Sequence, residues 1–139
     1  MIQKKFLCKD IASAEDAIRQ IGDITQQTPH KCALVTFYEA GLCTQDVDLL
    51  IHALRNSKVP GLLVAGISIT MIAELMPEGT GVLLNLILTE EADIEVVSVP
   101  CIPGKESEAA DKLRSRLDAS DAPKAVEFFI SNMSLNTTA

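Results

Sequence analysis

Apolar residues follow two alternating rhythms along this chain. Short apolar runs, which suit buried strands, alternate with stretches where apolar residues return every third or fourth position, which suits amphipathic helices. Residues 3–10 read as a first strand. Ala14, Ala17, Ile18, Ile21 and Ile24 then form one helical stripe. Ser13 with Asp16 three residues on predicts the helix start, Gly22 weakens its interior, and Thr28-Pro29 ends it. Residues 32–38 read as a second strand. Thr44 is the predicted cap of a second helix, with Asp46 and Asp48 where the helix dipole favours negative charge. Val47, Leu50, Ile51 and Leu54 supply its buried face. A third strand starts at Val59-Pro60. Residues 62–65 contain no polar side chain, which predicts a central strand covered on both faces. It stops in a hydroxyl-rich turn carrying Gly66, Ser68 and Thr70.

The second half changes pattern. Residues 71–76 suggest a short helical turn closed by Pro77, and Gly79-Thr80-Gly81 a further turn. Residues 82–88 and 94–99 both read as strands. The five residues between them are too few for a crossover helix, so an antiparallel hairpin is expected. Residues 107–117 read as a third helix and 125–131 as a last strand. Strand–helix alternation implies parallel neighbours joined by right-handed crossovers. The expected fold is therefore α/β: a mixed, mostly parallel sheet with one antiparallel hairpin and helices packed on it. Residues 1–139 would form a single domain, and the strongly apolar strand so near residue 139 suggests the N-terminal part of a longer protein.

Composition narrows the function classes. The chain has 139 residues, 47% of them hydrophobic and 4% aromatic, which predicts a core of Leu, Ile, Val and Ala. A net charge of -7, with no basic cluster beyond Lys4-Lys5, argues against nucleic acid as a partner. No apolar run approaches the roughly 20 residues of a membrane span, and the N-terminus lacks a secretory pattern. A cytoplasmic location is the expectation. Cys8, Cys32, Cys43 and Cys101 show no paired spacing and read as reduced, mostly buried thiols.

Chemistry concentrates where parallel strands end, because loops at those carboxyl ends converge on one rim. Tyr38, Glu39 and Gly41 follow the second strand, and Gly66, Ser68 and Thr70 the third. Asn132 joins them if the last strand runs the same way. A phenol, a carboxylate, hydroxyls, an amide and exposed backbone N–H groups suit a small polar ligand. The competing reading is that these are turn formers bonding their own backbone. His30 and His52 have no partner at metal-ligand spacing. No metal site, catalytic motif or cofactor is predicted. Cys43 beside a helix N-terminus is the one thiol placed for activation, with no base near it in sequence.

The order of these segments resembles a known family. Ser13-Ala14-Glu15-Asp16-Ala17-Ile18 is followed by Ala33-Leu34-Val35-Thr36-Phe37, then by Val47-Asp48-Leu49-Leu50-Ile51-His52-Ala53-Leu54. Val59-Pro60-Gly61-Leu62-Leu63-Val64-Ala65-Gly66-Ile67-Ser68 comes next, and then an apolar strand near Gly81-Val82. This resembles the N-terminal part of FIST domains, the "F-box and intracellular signal transduction" sensor module. The family commonly has Cys where this chain has Ile67. The resemblance implies a cytoplasmic sensory input domain of a signalling protein, binding a small polar ligand such as an amino acid. It also implies a C-terminal companion or signalling output domain, and no enzymatic activity. The alternative expectation is a ligand-free assembly module that pairs two copies as a homodimer.

Overall fold

The computed structural model describes residues 1–69, 79–119 and 125–127. The chain divides into two compact units, Met1–Glu95 and Val96–Ala139. The first holds β1 (Ile2–Cys8), α1 (Ile11–Gln27), β2 (Cys32–Ala40), α2 (Thr44–Arg55), β3 (Leu63–Ser68) and β4 (Gly81–Thr89). The second holds α3 (Glu106–Asp118).

The four strands form one mixed sheet in the order β1-β4-β2-β3. Only β2 and β3 pair in parallel; β4 runs antiparallel to both β1 and β2. The fold is α/β, but the sheet is mostly antiparallel and not mostly parallel as the alternation suggests. The physical reason is insertion. β1, β2 and β3 share one direction, as strand–helix alternation requires. β4, arriving later in the chain, wedges between β1 and β2 and reverses the sense of two ladders. The same insertion removes the predicted hairpin. Both sides of β4 are occupied, so residues 94–99 have no place beside it, and they lie outside any strand. The third strand also differs from expectation. It is an edge of the sheet among the described residues, and Leu63, Val64 and Ala65 are only half-buried.

α1 and α2 supply the helical cover of one face. Strand residues alternate toward it: Phe6 and Cys8 from β1, Ala33, Val35 and Phe37 from β2, and Val82, Leu84, Leu86 and Leu88 from β4. They meet Ala14, Ala17, Ile18 and Ile21 of α1 and Leu50 and Leu54 of α2 in one core. Each fully buried Leu or Ile side chain stabilises by about 1.5–3 kcal/mol relative to exposure. On the opposite face Asn85 breaks the apolar run of β4. Gln3 Nε2 donates to Asn85 Oδ1 at 3.0 Å, and Asn85 Nδ2 donates to Thr36 Oγ1 at 3.3 Å. A polar row thus crosses β1, β4 and β2 without touching the helical core.

Helix ends correct two expectations. α1 is capped by Asp10, three residues before Ser13: the Ser13 N–H donates to Asp10 Oδ1 at 2.8 Å, and the Asp10 N–H donates to Ser13 Oγ at 3.1 Å. Ser13 fills the position three residues into the box, where either hydroxyl or acid serves. α2 is capped by Cys43, which makes no side-chain cap, and Thr44 is its first helical residue. α1 does end at Gln27, just ahead of Thr28-Pro29.

In the second unit α3 covers the predicted helix, with Ala109, Leu113 and Leu117 half-buried along one side. Residues 125–127 are outside any strand, and the rest of the expected last strand lies outside the described residues, as does the expected turn at 71–76.

Candidate functional site

The shared direction of β1, β2 and β3 brings their carboxyl ends to one rim, where β4 begins. Ala40 stands opposite Gly81, Glu39 opposite both Val82 and Ser68, and Cys8 opposite Val82. The ladder between the parallel strands continues one step further, with the Ile69 N–H donating to the Glu39 carbonyl at 2.8 Å. Two stretches that are remote in sequence, 38–42 and 66–69, therefore meet as predicted.

Their side chains do not all converge. Alternation along β2 sends Glu39 to the helical face with Val35 and Phe37, and Tyr38 to the other. Tyr38 packs with Ala40, Ile69 and Leu83. Ser68, in register with Glu39, lies on the helical face and is exposed, while Glu39 is 4% exposed. Adjacent strands lie about 4.8 Å apart, so Glu39 and Ser68 are direct neighbours in the parallel ladder. Glu39 Oε2 accepts from the Leu42 N–H at 3.3 Å. Leu42 immediately precedes the cap of α2, so the carboxylate sits by the positive end of that helix dipole.

The glycines have structural work. Gly66 is inside β3 and not in a turn beyond it. A Cβ at Gly66 would collide with the ring of Phe37, its direct neighbour in the parallel ladder. The aromatic ring covers the bare backbone there, so Gly66 shapes the core. Gly41 has φ +68, and a Cβ there would lie 2.7 Å from Thr80 Cγ2. It lets the β2–α2 loop close against the start of β4. Thr80 thus joins the rim. Its sequence context reads as a plain turn, and only the pairing of β4 with β2 reveals its position. Thr70 and Asn132 lie outside the described residues.

The remaining candidates separate cleanly. Cys8 is buried, and desolvation, helped by the Asp10 charge, pushes its thiol up to about 11. Cys32 is half-buried, whereas Cys43 and Cys101 are exposed, contrary to the expectation that most thiols are buried. His30 Nδ1 bonds the Thr28 carbonyl at 2.8 Å, and His52 is exposed on α2. Among the described residues no group of three or more His, Cys, Asp or Glu side chains could hold a metal ion. No described helix is long and apolar enough to cross a membrane. A shallow groove of about 300 Å³ lies in the second unit, between residues 98–100 and the Lys112, Ser115 and Arg116 face of α3. It includes none of the residues expected to bind a ligand.

No protein-family model matches the chain, and the searches of curated proteins and of solved structures return no significant match.

Proposed function

We propose that this chain is a small-ligand-sensing input domain of a cytoplasmic signal transduction protein of the FIST type, with an amino acid as the ligand class. The observation that carries this reading is the register that sets Glu39 beside Ser68 in the β2–β3 ladder. Glu39 is a nearly buried carboxylate that accepts from the Leu42 N–H at 3.3 Å, and a carboxylate can accept more than one hydrogen bond. An ammonium group would satisfy it, with the Ser68 hydroxyl beside it to accept or donate a further bond. Gly41 and Thr80 shape the rim and Gly66 seats Phe37 beneath it. Tyr38, on the opposite face, is left out of direct contact in this arrangement. Binding would favour one arrangement of the domain against a companion or output domain.

Thermal-shift screening against the amino acids tests the reading. A ligand that raises the melting temperature should lose that effect in Glu39→Gln and weaken in Ser68→Ala. If no amino acid shifts melting, or if a shift survives Glu39→Gln unchanged, the reading fails.

A further inference from the structure

The second unit carries a groove that the amino-acid reading does not use. Its volume is about 300 Å³, and Ser98, Val99, Pro100, Lys112, Ser115 and Arg116 line it. That volume is at the lower end of the range for small-molecule clefts. Lys112, Ser115 and Arg116 follow helical spacing, so α3 presents them side by side. Val99 is half-buried and Pro100 exposed, and together they make an apolar wall opposite.

The charge of this groove is unlike that of the chain. The whole sequence has a net charge of -7, yet two cations and, among the described residues, no carboxylate line the groove. Lys112 and Arg116 stand one helical turn apart, where like charges repel. Glu108, one turn before Lys112, is paired instead with Lys105 at 3.5 Å. Among the described residues neither Lys112 nor Arg116 has an ion pair. Arg116 lies in the last turn of α3, where the helix dipole favours a cation. Lys112, a turn further in, has no such reason to be basic. The groove also has two hydroxyls. Ser115 Oγ donates to the Asp111 carbonyl at 2.9 Å, which leaves its oxygen to accept. The exposed Ser98 hydroxyl can donate.

We infer that this groove binds a phosphate monoester of a small hydroxylated molecule. The phosphate sits between Lys112 and Arg116, and the guanidinium can hold two of its oxygens at once. One dianion thereby removes the repulsion between the two cations. Ser98 donates to a further phosphate oxygen, Ser115 accepts from a ligand hydroxyl, and the carbon skeleton lies on Val99 and Pro100. A nucleic acid fits poorly, because the net charge of -7 repels a polyanion. The groove belongs to a different unit from Glu39 and Ser68, so this inference stands or falls independently of the amino-acid reading.

Titration of the full chain with glycerol 3-phosphate, followed by backbone amide resonances, tests it. Saturable shifts at residues 98–100 and 112–116 are expected, and none from glycerol alone. Lys112→Gln combined with Arg116→Gln should weaken binding about tenfold or more, and Ser98→Ala by a smaller factor. Arg114→Gln removes a cation of the same helix outside the groove and should leave affinity unchanged. These positions are exposed, so circular dichroism should not change in any of the variants. The inference is overturned by an absence of saturable shifts at millimolar probe. It is overturned equally by shifts spread over lysines and arginines throughout the chain, or by a loss in Arg114→Gln as large as in the double variant.

Discussion

Two apolar segments, 82–88 and 94–99, are separated by five residues and have the same strand-forming character. The first lies inside β4, at the centre of the sheet's pairing, with Val82, Leu84, Leu86 and Leu88 in the core. The second pairs with nothing among the described residues. Their difference is not one of propensity, since 94–99 is the more β-branched of the two. It is one of vacancy. A strand needs a free ladder on a neighbour, and both neighbours of β4 arrive from earlier in the chain. Strand propensity describes how a segment would fit a sheet, and the sheet decides whether a place exists.

The largest expected effect breaks the comparison at its packed side. Leu86→Ala, at a fully buried position, should cost about 2–5 kcal/mol in denaturant unfolding. Val96→Ala, at an exposed position of the second stretch, should fall within about 0.5 kcal/mol. Equal losses at the two positions would show that 94–99 is packed as deeply as β4. A smaller effect is expected at the β2–β3 ladder. Gly66→Ala drives a methyl group into the Phe37 ring and should destabilise by about 1–3 kcal/mol. Pairing it with Phe37→Leu should recover part of that loss, which a purely conformational effect at Gly66 would not.

Titration gives finer measures at the two ends of the β1–α1 connection. The Cys8 thiol, raised from 9.0 to about 11 by burial, keeps its proton in the folded state longer than in the unfolded chain. Its contribution is therefore complete below about 9 and declines as pH climbs toward 11. Cys8→Ser should flatten that decline in melting temperature, and Cys8 should alkylate more slowly than Cys43. The smallest effect concerns Asp10. The Ser13 backbone and side-chain hydrogen bonds, with the Lys9 charge, hold its carboxyl below the ordinary range. The contribution is present above the unfolded carboxyl pKa and fades as pH falls through the lowered folded value. Asp10→Asn should remove that acid-range fall in melting temperature and lower the melting temperature slightly at neutral pH, where the charged cap contributes. A parallel fall in both proteins would deny the cap its charge.

The candidate site was partly legible and partly not. Glu39 and Ser68 stand out in sequence as polar residues at the ends of apolar runs, and the parallel ladder puts them side by side. Tyr38 is next to Glu39 in sequence, and the pleat of the strand sends it to the other face. Gly66 looks like a turn glycine, because Phe37 is 29 positions away in the chain and covers it only once β2 and β3 align.

The sequence alone determined the seven elements from β1 to α3 to within a few residues, and the common direction of β1, β2 and β3. Apolar periodicity, Thr28-Pro29 and the strand–helix alternation act over a few residues or one crossover, and those forces are written locally. Tertiary structure decided which strands are neighbours. The wedging of β4 between β1 and β2 made the sheet mostly antiparallel, and the third strand lies at its edge among the described residues. Residues 94–99 have no strand partner among the described residues. Neighbourhood depends on which ladders are already filled, a competition among segments far apart in the chain that no single segment records.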